Sequence, residues 1–572
     1  MIAPDTLIRE LVNAHIANYP SVTGPAQPIT LKSLGEFAFA LGWAWLLLIS
    51  FSGWGRLSAM LLRIRRLPAS VACAAGISVA ILIGGWLNLL HAIYQGLLFA
   101  FVAAGFVLYF VFVPNRPKEY RWRPFWRRTT AASKVFLAAA LLLLAFRVAG
   151  SVRLSTFDVT DDSAAYLALP QKMLDTHHFA ADPFSERRIT SSLGGGYFLQ
   201  DLVLSATSLP HVGMADRTLG FMLLAVAALD LGLIFELSAF QIALLEFLSF
   251  LIPQETFNLT FIVLPVPLLL AFACLLAMLL KDEPESSGSF GYAVLAGLVG
   301  AATISLKSTY LPIVGAISII PFILLLRRNP RFAFRASGVI GAGILLVLVS
   351  WMVAMKSTSG TYLFPLLGRG LDYSRYDLFH AVPRFQTLRS LTKVFIQAVP
   401  LLVLAAIQIF SRSRTKQAAL TISVLLASAV AISALNYASS ADSIWRYNFP
   451  QFFLAIIVFY AGTAGAAAFH ESKPARVAFC IGILAMLSMT VYYDMAGRTP
   501  RPFDAMISEL SNVHPVVAGL SGWQLSDPRL REPYRRAESS IPQNRTALED
   551  VAYSFLLNYK NRKIFIMDWP GA

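Results

Sequence analysis

Residues 157–200 read FDVTDDSAAYLALPQKMLDTHHFAADPFSERRITSSLGGGYFLQ, a polar island in an otherwise lipid-soluble chain. On both sides lie apolar runs close to the length that crosses a bilayer as a helix, so the island marks where the chain leaves the hydrocarbon. It opens with three carboxylates in five residues, Asp158, Asp161 and Asp162. A carboxylate held at a membrane surface is ionised at neutral pH and can take a proton from an attacking hydroxyl, which makes all three candidate general bases. The same acids suit a plainer role, since Asp161 or Asp162 could cap the amphipathic run AAYLALPQKML.

With 56% hydrophobic and 14% charged residues among 572, the chain is far more apolar than a soluble protein of its length. It reads as an α-helical polytopic membrane protein surrounded by membrane lipids. A net charge of +15 would suit nucleic acid, but the basic residues cluster between apolar spans, where the positive-inside rule places them, and no nucleic-acid partner is expected. Cys73, Cys274 and Cys480 all lie in apolar stretches and form neither a disulfide framework nor a metal-ligand spacing. No cleavable signal peptide is evident, so the first span is expected to stay in the protein.

In residues 5–17, Leu7, Ile8, Leu11, Val12 and Ile16 share one helical face, which predicts an interfacial helix within an extracytoplasmic segment, residues 1–33. A first span near 34–53 ends at Arg56, Arg63, Arg65 and Arg66, so that end is expected in the cytoplasm. Spans near 70–90 and 93–113 lead to NRPKEYRWRPFWRRTTAASK, where seven basic residues face the single acid Glu119. These additional helices occupy residues 34–134. A fourth span near 135–150 carries Arg147 close to its outer end and delivers the island to the outside as a loop over 151–214. Within that loop YLALPQKML predicts one helix, bent or broken by Pro170, and GGGYFLQDLVLSATSL a second one after Gly194–Gly196.

Further spans are expected near 215–236, 238–253, 257–280, 291–306, 310–327, 336–354, 396–411, 418–436, 446–468 and 477–494, about fourteen in all. The turns RRNPRFAFR, SRSRTK and HESKPAR fall on the predicted inner side. Acidic KDEPESSGS falls there too, where acids bear little on orientation. The outside receives a loop over 355–395 and everything after residue 495. That segment, 495–572, reads as a small α/β unit, helix-like ALEDVAYSFLLNY followed by the strand KIFIMDW, with the chain stopping soon after as a truncated domain would.

Three outer features converge with the carboxylates. Lys307, in AATISLKSTYLP, lies between two apolar spans; a charge there either snorkels to the headgroups or serves a function. Arg446 and Tyr447 open a later span in SIWRYNFPQFFLAI, a place where anchors are also routine. The late outer loop SGTYLFPLLGRGLDYSRYD offers Tyr362, Arg369, Arg375 and Tyr376. A phosphate at headgroup level would find charge-assisted donors among these cations, and an incoming hydroxyl would find a base.

An apolar span, an outer loop opening with DVTDDSAAYL, a later Lys at a span end (LKSTYLP) and the Arg-Tyr-x-x-Pro of RYNFP together resemble the GT-C class of membrane glycosyltransferases. Within it, the sequence is similar to the group of protein mannosyltransferases and the lipid A aminoarabinose transferase. The likeness covers roughly residues 135–494, which it casts as a GT-C-like transmembrane core. It implies an inverting transfer of sugar from a polyprenyl-phosphate donor to a hydroxyl of a glycan, lipid or protein acceptor, at the extracytoplasmic face of a bacterial inner membrane. The class's first outer-loop Asp is catalytic, which maps onto Asp161 or Asp162, and less well onto Asp158. Its outer basic residues, which grip the lipid phosphate, map onto Lys307 and Arg446, with Tyr447, Arg147 and Arg369 as further candidates. Two departures stand out: three spans precede the loop where the class begins with one, and the loop offers three acids.

Such chemistry requires no cofactor. A divalent metal has a mixed set of potential ligands in Asp161, Asp162, Asp175, His177, His178 and Asp182, without a recognised spacing; His177 and His178 are expected to face water or headgroups. The competing reading is a lipid-linked sugar flippase or secondary transporter, with Asp230, Glu236 and Glu246 in or near spans, although no paired half-helices or internal repeat stand out. A third reading is an inactive scaffold in an envelope-polymer complex, with the C-terminal segment as partner surface.

Overall fold

The computed structural model describes residues 28–64, 67–112, 130–154, 163–179, 192–235, 237–250, 259–281, 287–360, 362–363, 454, 457–458, 461, 516–517, 520, 528–542, 545–549, 554–560 and 562–566. Helices α1 (Leu31–Leu61), α2 (Ala69–Leu89), α3 (Gln95–Val111) and α4 (Ala131–Ser151) precede the polar island. A π-helical turn (Ser163–Leu167) then runs into α5 (Ala168–Thr176), followed by α6 (Gly195–Leu204) and a 3₁₀ stretch (Leu209–Ala215). Next come α7 (Arg217–Ile234), α8 (Ala239–Ser249), α9 (Pro265–Lys281), α10 (Ser287–Leu306), a 3₁₀ turn (Ser308–Tyr310), α11 (Leu311–Arg328) and α12 (Pro330–Ser359). Toward the C-terminus lie α13 (Pro528–Ser540), β1 (Thr546–Glu549), a 3₁₀ turn (Ser554–Leu556) and β2 (Lys563–Ile566).

Among the described residues, seven helical stretches are long and apolar enough to cross a membrane, and α3, α8 and α9 are shorter apolar helices. The chain is an α-helical membrane protein. Large apolar side chains such as Phe39, Phe110, Leu142 and Leu345 stand exposed on its helices, as lipid contact requires. Between helices, small residues let backbones meet. A Cβ built on Gly76 of α2 would fall 1.7 Å from the Phe51 carbonyl oxygen of α1, and one on Gly297 of α10 3.0 Å from Gly343 Cα of α12.

Contacts between helix ends sort them into two sets, as alternate crossing demands. At one end Asp230, late in α7, accepts from the Ser70 N–H and hydroxyl at the start of α2, each at 2.7 Å. At the same end Arg328 of α11 donates to the Leu280 carbonyl of α9 at 3.1 Å. Arg56, Arg63, Arg327, Arg331 and Arg335 lie in or beside helix ends of this set. At the opposite end Glu36 of α1 pairs with Arg153 after α4 at 2.8 Å, and the Leu154 N–H donates to the Pro210 carbonyl at 2.8 Å. The described parts of the polar island, residues 163–179 and 192–200, belong to this second end.

Each expected span up to residue 354 is a helix close to its predicted place; those near 396–411, 418–436, 446–468 and 477–494, on which the count of about fourteen depends, lie outside the described residues, as does the N-terminal amphipathic stretch. Three boundaries differ. The span expected from residue 257 begins as a helix only at Pro265, because the amides of Ile262, Val263 and Leu264 bind the Asp216 carboxylate instead of building a turn. Pro170 does not break its helix: the winding changes from π to α just before it, so the residue without an N–H falls in the first turn of α5. The stretch expected as the helix ALEDVAYSFLLNY starts instead as strand β1, paired in parallel with β2 in the register Ala547 to Ile564 and Glu549 to Ile566. The pairing with a remote strand outweighs local helix preference there.

Candidate functional site

The island's architecture rests on α6, a ten-residue helix of which every residue is buried. It packs against α2, α5, α10 and the 3₁₀ stretch before α7. The glycine run makes this approach possible. Gly194 precedes the helix at φ +97°, a left-handed conformation that favours glycine. A Cβ on Gly195 would lie 2.3 Å from Ser305 Oγ, and one on Gly196 2.7 Å from the Phe261 ring. The first turn of α6 is therefore pressed against the end of α10 and the segment before α9, the two stretches that flank Lys307.

Lys307 lies in the break between α10 and α11 with an extended backbone (φ −161°, ψ 132°). Its side chain is buried, and its ammonium donates to Thr260 Oγ1 at 3.3 Å. Three residues on, the Tyr310 hydroxyl donates to the Phe261 carbonyl at 3.0 Å. The 259–264 segment that supplies both acceptors is shaped in turn by Asp216, whose Oδ1 accepts from Ile262, Val263 and Leu264 at 3.0, 3.0 and 2.9 Å. The stretches that carry the buried ammonium and its acceptor, Ser305–Lys307 and Thr260–Phe261, thus also pack against the N-terminal turn of α6; a cation and a helix N-terminus each favour an anion.

The other face of α6 receives the chain that follows the acids. Tyr197 packs against Tyr166 of the π-helical turn (6.1 Å between centroids) and Phe179 beyond α5 (5.4 Å). Asp158, Asp161 and Asp162 themselves lie outside the described residues, as do Arg369, Arg446, Tyr447 and Asp182. What is described is the attachment of their flanks: Leu154 on one side, bonded to Pro210, and buried Ala165 and Tyr166 on the other. Both the Lys307 region and the stretch that follows Asp162 are thereby tied to one helix. Arg147 is buried in α4, where its Nε donates to the Phe250 carbonyl that ends α8 at 3.2 Å.

Asp201 of α6 has no counterpart in the sequence reading. Its side chain is fully buried, and neither carboxyl oxygen has a hydrogen-bond partner among the described residues. Burial pushes its carboxyl well above the usual range, and the like charge of Asp175 adds to the effect. Asp175 is also raised by burial, but Gln171 Nε2 (3.1 Å), Lys560 Nζ (3.8 Å), the Tyr559 N–H and His177 oppose the shift. One acid of this pair is supported as a carboxylate and the other is not. The signal for Asp201 was a lone acid inside the apolar run YFLQDLVL, and for Asp216 one beside an apolar run.

His177 and His178, expected to face water or headgroups, are only partly exposed. They are half-buried against the turn between α2 and α3, with His178 stacked on His91 (4.0 Å between centroids) and His177 on Tyr94 (4.1 Å). Burial lowers the His178 imidazole. His177 adopts φ +66°, and its carbonyl accepts the Ile93 N–H at 3.0 Å, while the Phe179 N–H donates to Asn88 Oδ1 at 2.5 Å. Among the described residues no group of three His, Cys, Asp or Glu side chains is placed to hold a metal ion. No protein-family model matches the chain, and no curated protein matches it either.

Proposed function

We propose that this is a membrane glycosyltransferase of about fourteen spans with a GT-C-like core over residues 135–494, moving a sugar from a polyprenyl-phosphate donor to an acceptor hydroxyl at the extracytoplasmic face, with inversion. The observation that supports it most directly is the convergence on α6: Ser305, two residues before the buried Lys307, packs on the first turn of that helix, and Tyr166, four residues after Asp162, packs on Tyr197 of the same helix. In this reading Asp162 or Asp161 takes the proton of the acceptor hydroxyl. The oxygen then attacks the anomeric carbon as the bond from that carbon to the phosphate oxygen breaks, and the polyprenyl phosphate departs with the electron pair. Base and leaving group lie on opposite faces of the sugar ring. Lys307 and the α6 amides stabilise the charge that develops on the phosphate, with Arg446, Tyr447 and Arg369 as further phosphate contacts. The basic helix ends then face the cytoplasm, which puts both termini outside the inner membrane of a bacterial cell.

The carrier reading draws less support from the same geometry. Asp230 serves as an acceptor for the first amides of α2, a structural task that accounts for its burial. The deciding experiment is a mass-spectrometric profile of envelope glycans in a deletion strain complemented at matched expression with wild type or with Asp161→Asn/Asp162→Asn. A sugar restored only by wild type supports the transferase. Restoration by both makes the acids structural and returns the carrier and scaffold readings.

A further inference from the structure

We propose that residues 554–566 form a clamp on α5, the helix that follows the Asp161–Asp162 pair in sequence, and that sugar transfer depends on this clamp, an inference that rests on the glycosyl-transfer reading. Two charged side chains on one face of α5 supply the grips. Lys172 is buried, its ammonium lying 5.8 Å from the Tyr559 ring centroid and 5.4 Å from that of Phe565. Three residues on, Asp175 meets Lys560 Nζ at 3.8 Å and accepts the Tyr559 N–H. Lysine and aspartate at this spacing lie on neighbouring positions of a helix surface, and both are engaged by the same short stretch of chain.

The clamp has an interior of its own. Phe555, Leu557 and Tyr559 are buried, the Tyr559 hydroxyl donates to the Ser554 carbonyl at 2.7 Å, and Ile564 and Ile566 of β2 turn inward. The turn at Ser554–Leu556 packs on both α5 and the π-helical turn before it. Lys560 is mostly exposed but the Asp175 side chain is only 7% exposed, so their ion pair is only partly screened, and the buried aromatic residues add to the attachment. The lever is short: the π-helical turn continues into α5 without interruption, and its first residue, Ser163, is covalently next to Asp162. Whatever displaces α5 displaces the end of the acidic segment. The flanks of α5 are fixed through Tyr166 and Phe179 on Tyr197 and through His177 and His178 on the turn between α2 and α3, while the 554–566 stretch holds Lys172 and Asp175 of the helix itself.

The test uses the full chain with Asp175→Lys, Lys560→Asp and the double swap, each scored by trypsin nicking at Arg562 and Lys563 and by the sugar product restored in the deletion strain. Each single reversal sets like charges together. We expect nicking to speed up about fivefold and the product to fall about tenfold in each single variant, with the swap recovering both to within about threefold of wild type, the signature of a pairwise interaction. Because Lys560 is on the surface, Lys560→Asp folds even if Asp175→Lys does not. Unchanged nicking in Lys560→Asp, or faster nicking with wild-type product, overturns the clamp. Wild-type product from Asp161→Asn/Asp162→Asn instead overturns the transferase reading, whatever the nicking pattern.

Discussion

The ammonium of Lys307 reaches the hydroxyl of Thr260 at 3.3 Å, joining the breaks that precede α9 and follow α10. Thr260 orients the ammonium while, in the proposed reaction, the phosphate takes its charge. Removing the charge with Lys307→Met is expected to reduce product by about two to three orders of magnitude, the usual loss for a group acting on developing charge. Thr260→Val keeps the charge and should cost about tenfold, the low end for one hydrogen bond to a charged group. Product quantified in the complemented deletion strain checks both; equal losses would mean that Lys307 acts only as a structural bond.

Asp216 should matter more for stability than any other acid among the described residues. Asp216→Ala strands the amides of Ile262, Val263 and Leu264 in a buried place, and each unsatisfied amide costs about 1–3 kcal/mol. Thermal unfolding of the detergent-solubilised protein should fall by several degrees for Asp216→Ala, and by less for Asp216→Asn, which retains an acceptor oxygen. A change confined to activity, with unfolding unaltered, would assign Asp216 a different role.

The spans were legible because an apolar run of bilayer length has one economical conformation, and their alternation because arginine collects at one set of ends. What was not legible depends on partners remote in sequence. The acid at 216 serves amides 46 to 48 residues away, and β1 forms against a strand that follows it across a loop; neither pairing leaves a local pattern. Gly194–Gly196 looked like a flexible preface to a helix, whereas all three lie against side chains of other segments, Trp351, Ser305 and Phe261. Asp201 was hidden for the opposite reason: an acid within an apolar run looks like an accident until its burial on every side is seen.

Gly195→Ala tests that close approach. The added methyl would collide with Ser305 Oγ and Cβ, built contacts of 2.3 and 2.8 Å, and overpacking of this kind costs about 1–3 kcal/mol. The collision is with a side chain, so Ser305→Gly should return most of the loss in unfolding temperature. No recovery in the double variant would place the strain in the backbone of α6 instead.

The Asp201 carboxyl makes a prediction with a definite sign. Its folded-state value is raised well above 3.8 by burial, with the Asp175 charge adding to it, so above about pH 4 the unfolded chain releases a proton that the folded protein keeps. Folding then binds a proton, and this acid's contribution to stability, complete at low pH, declines by about 1.4 kcal/mol per pH unit until the folded group ionises too. Asp201→Asn removes that decline. Its unfolding temperature relative to wild type should therefore rise with pH from about pH 5 until the folded carboxyl ionises, because the substitution abolishes a cost that grows with pH. Asp175, supported by Gln171, Lys560 and the Tyr559 N–H, takes the negative charge of the pair and leaves Asp201 neutral. A difference between variant and wild type that stays constant across this range would show that Asp201 is ionised in the folded protein. The acid would then have acquired a donor, and α6 would hold a charge in its buried face.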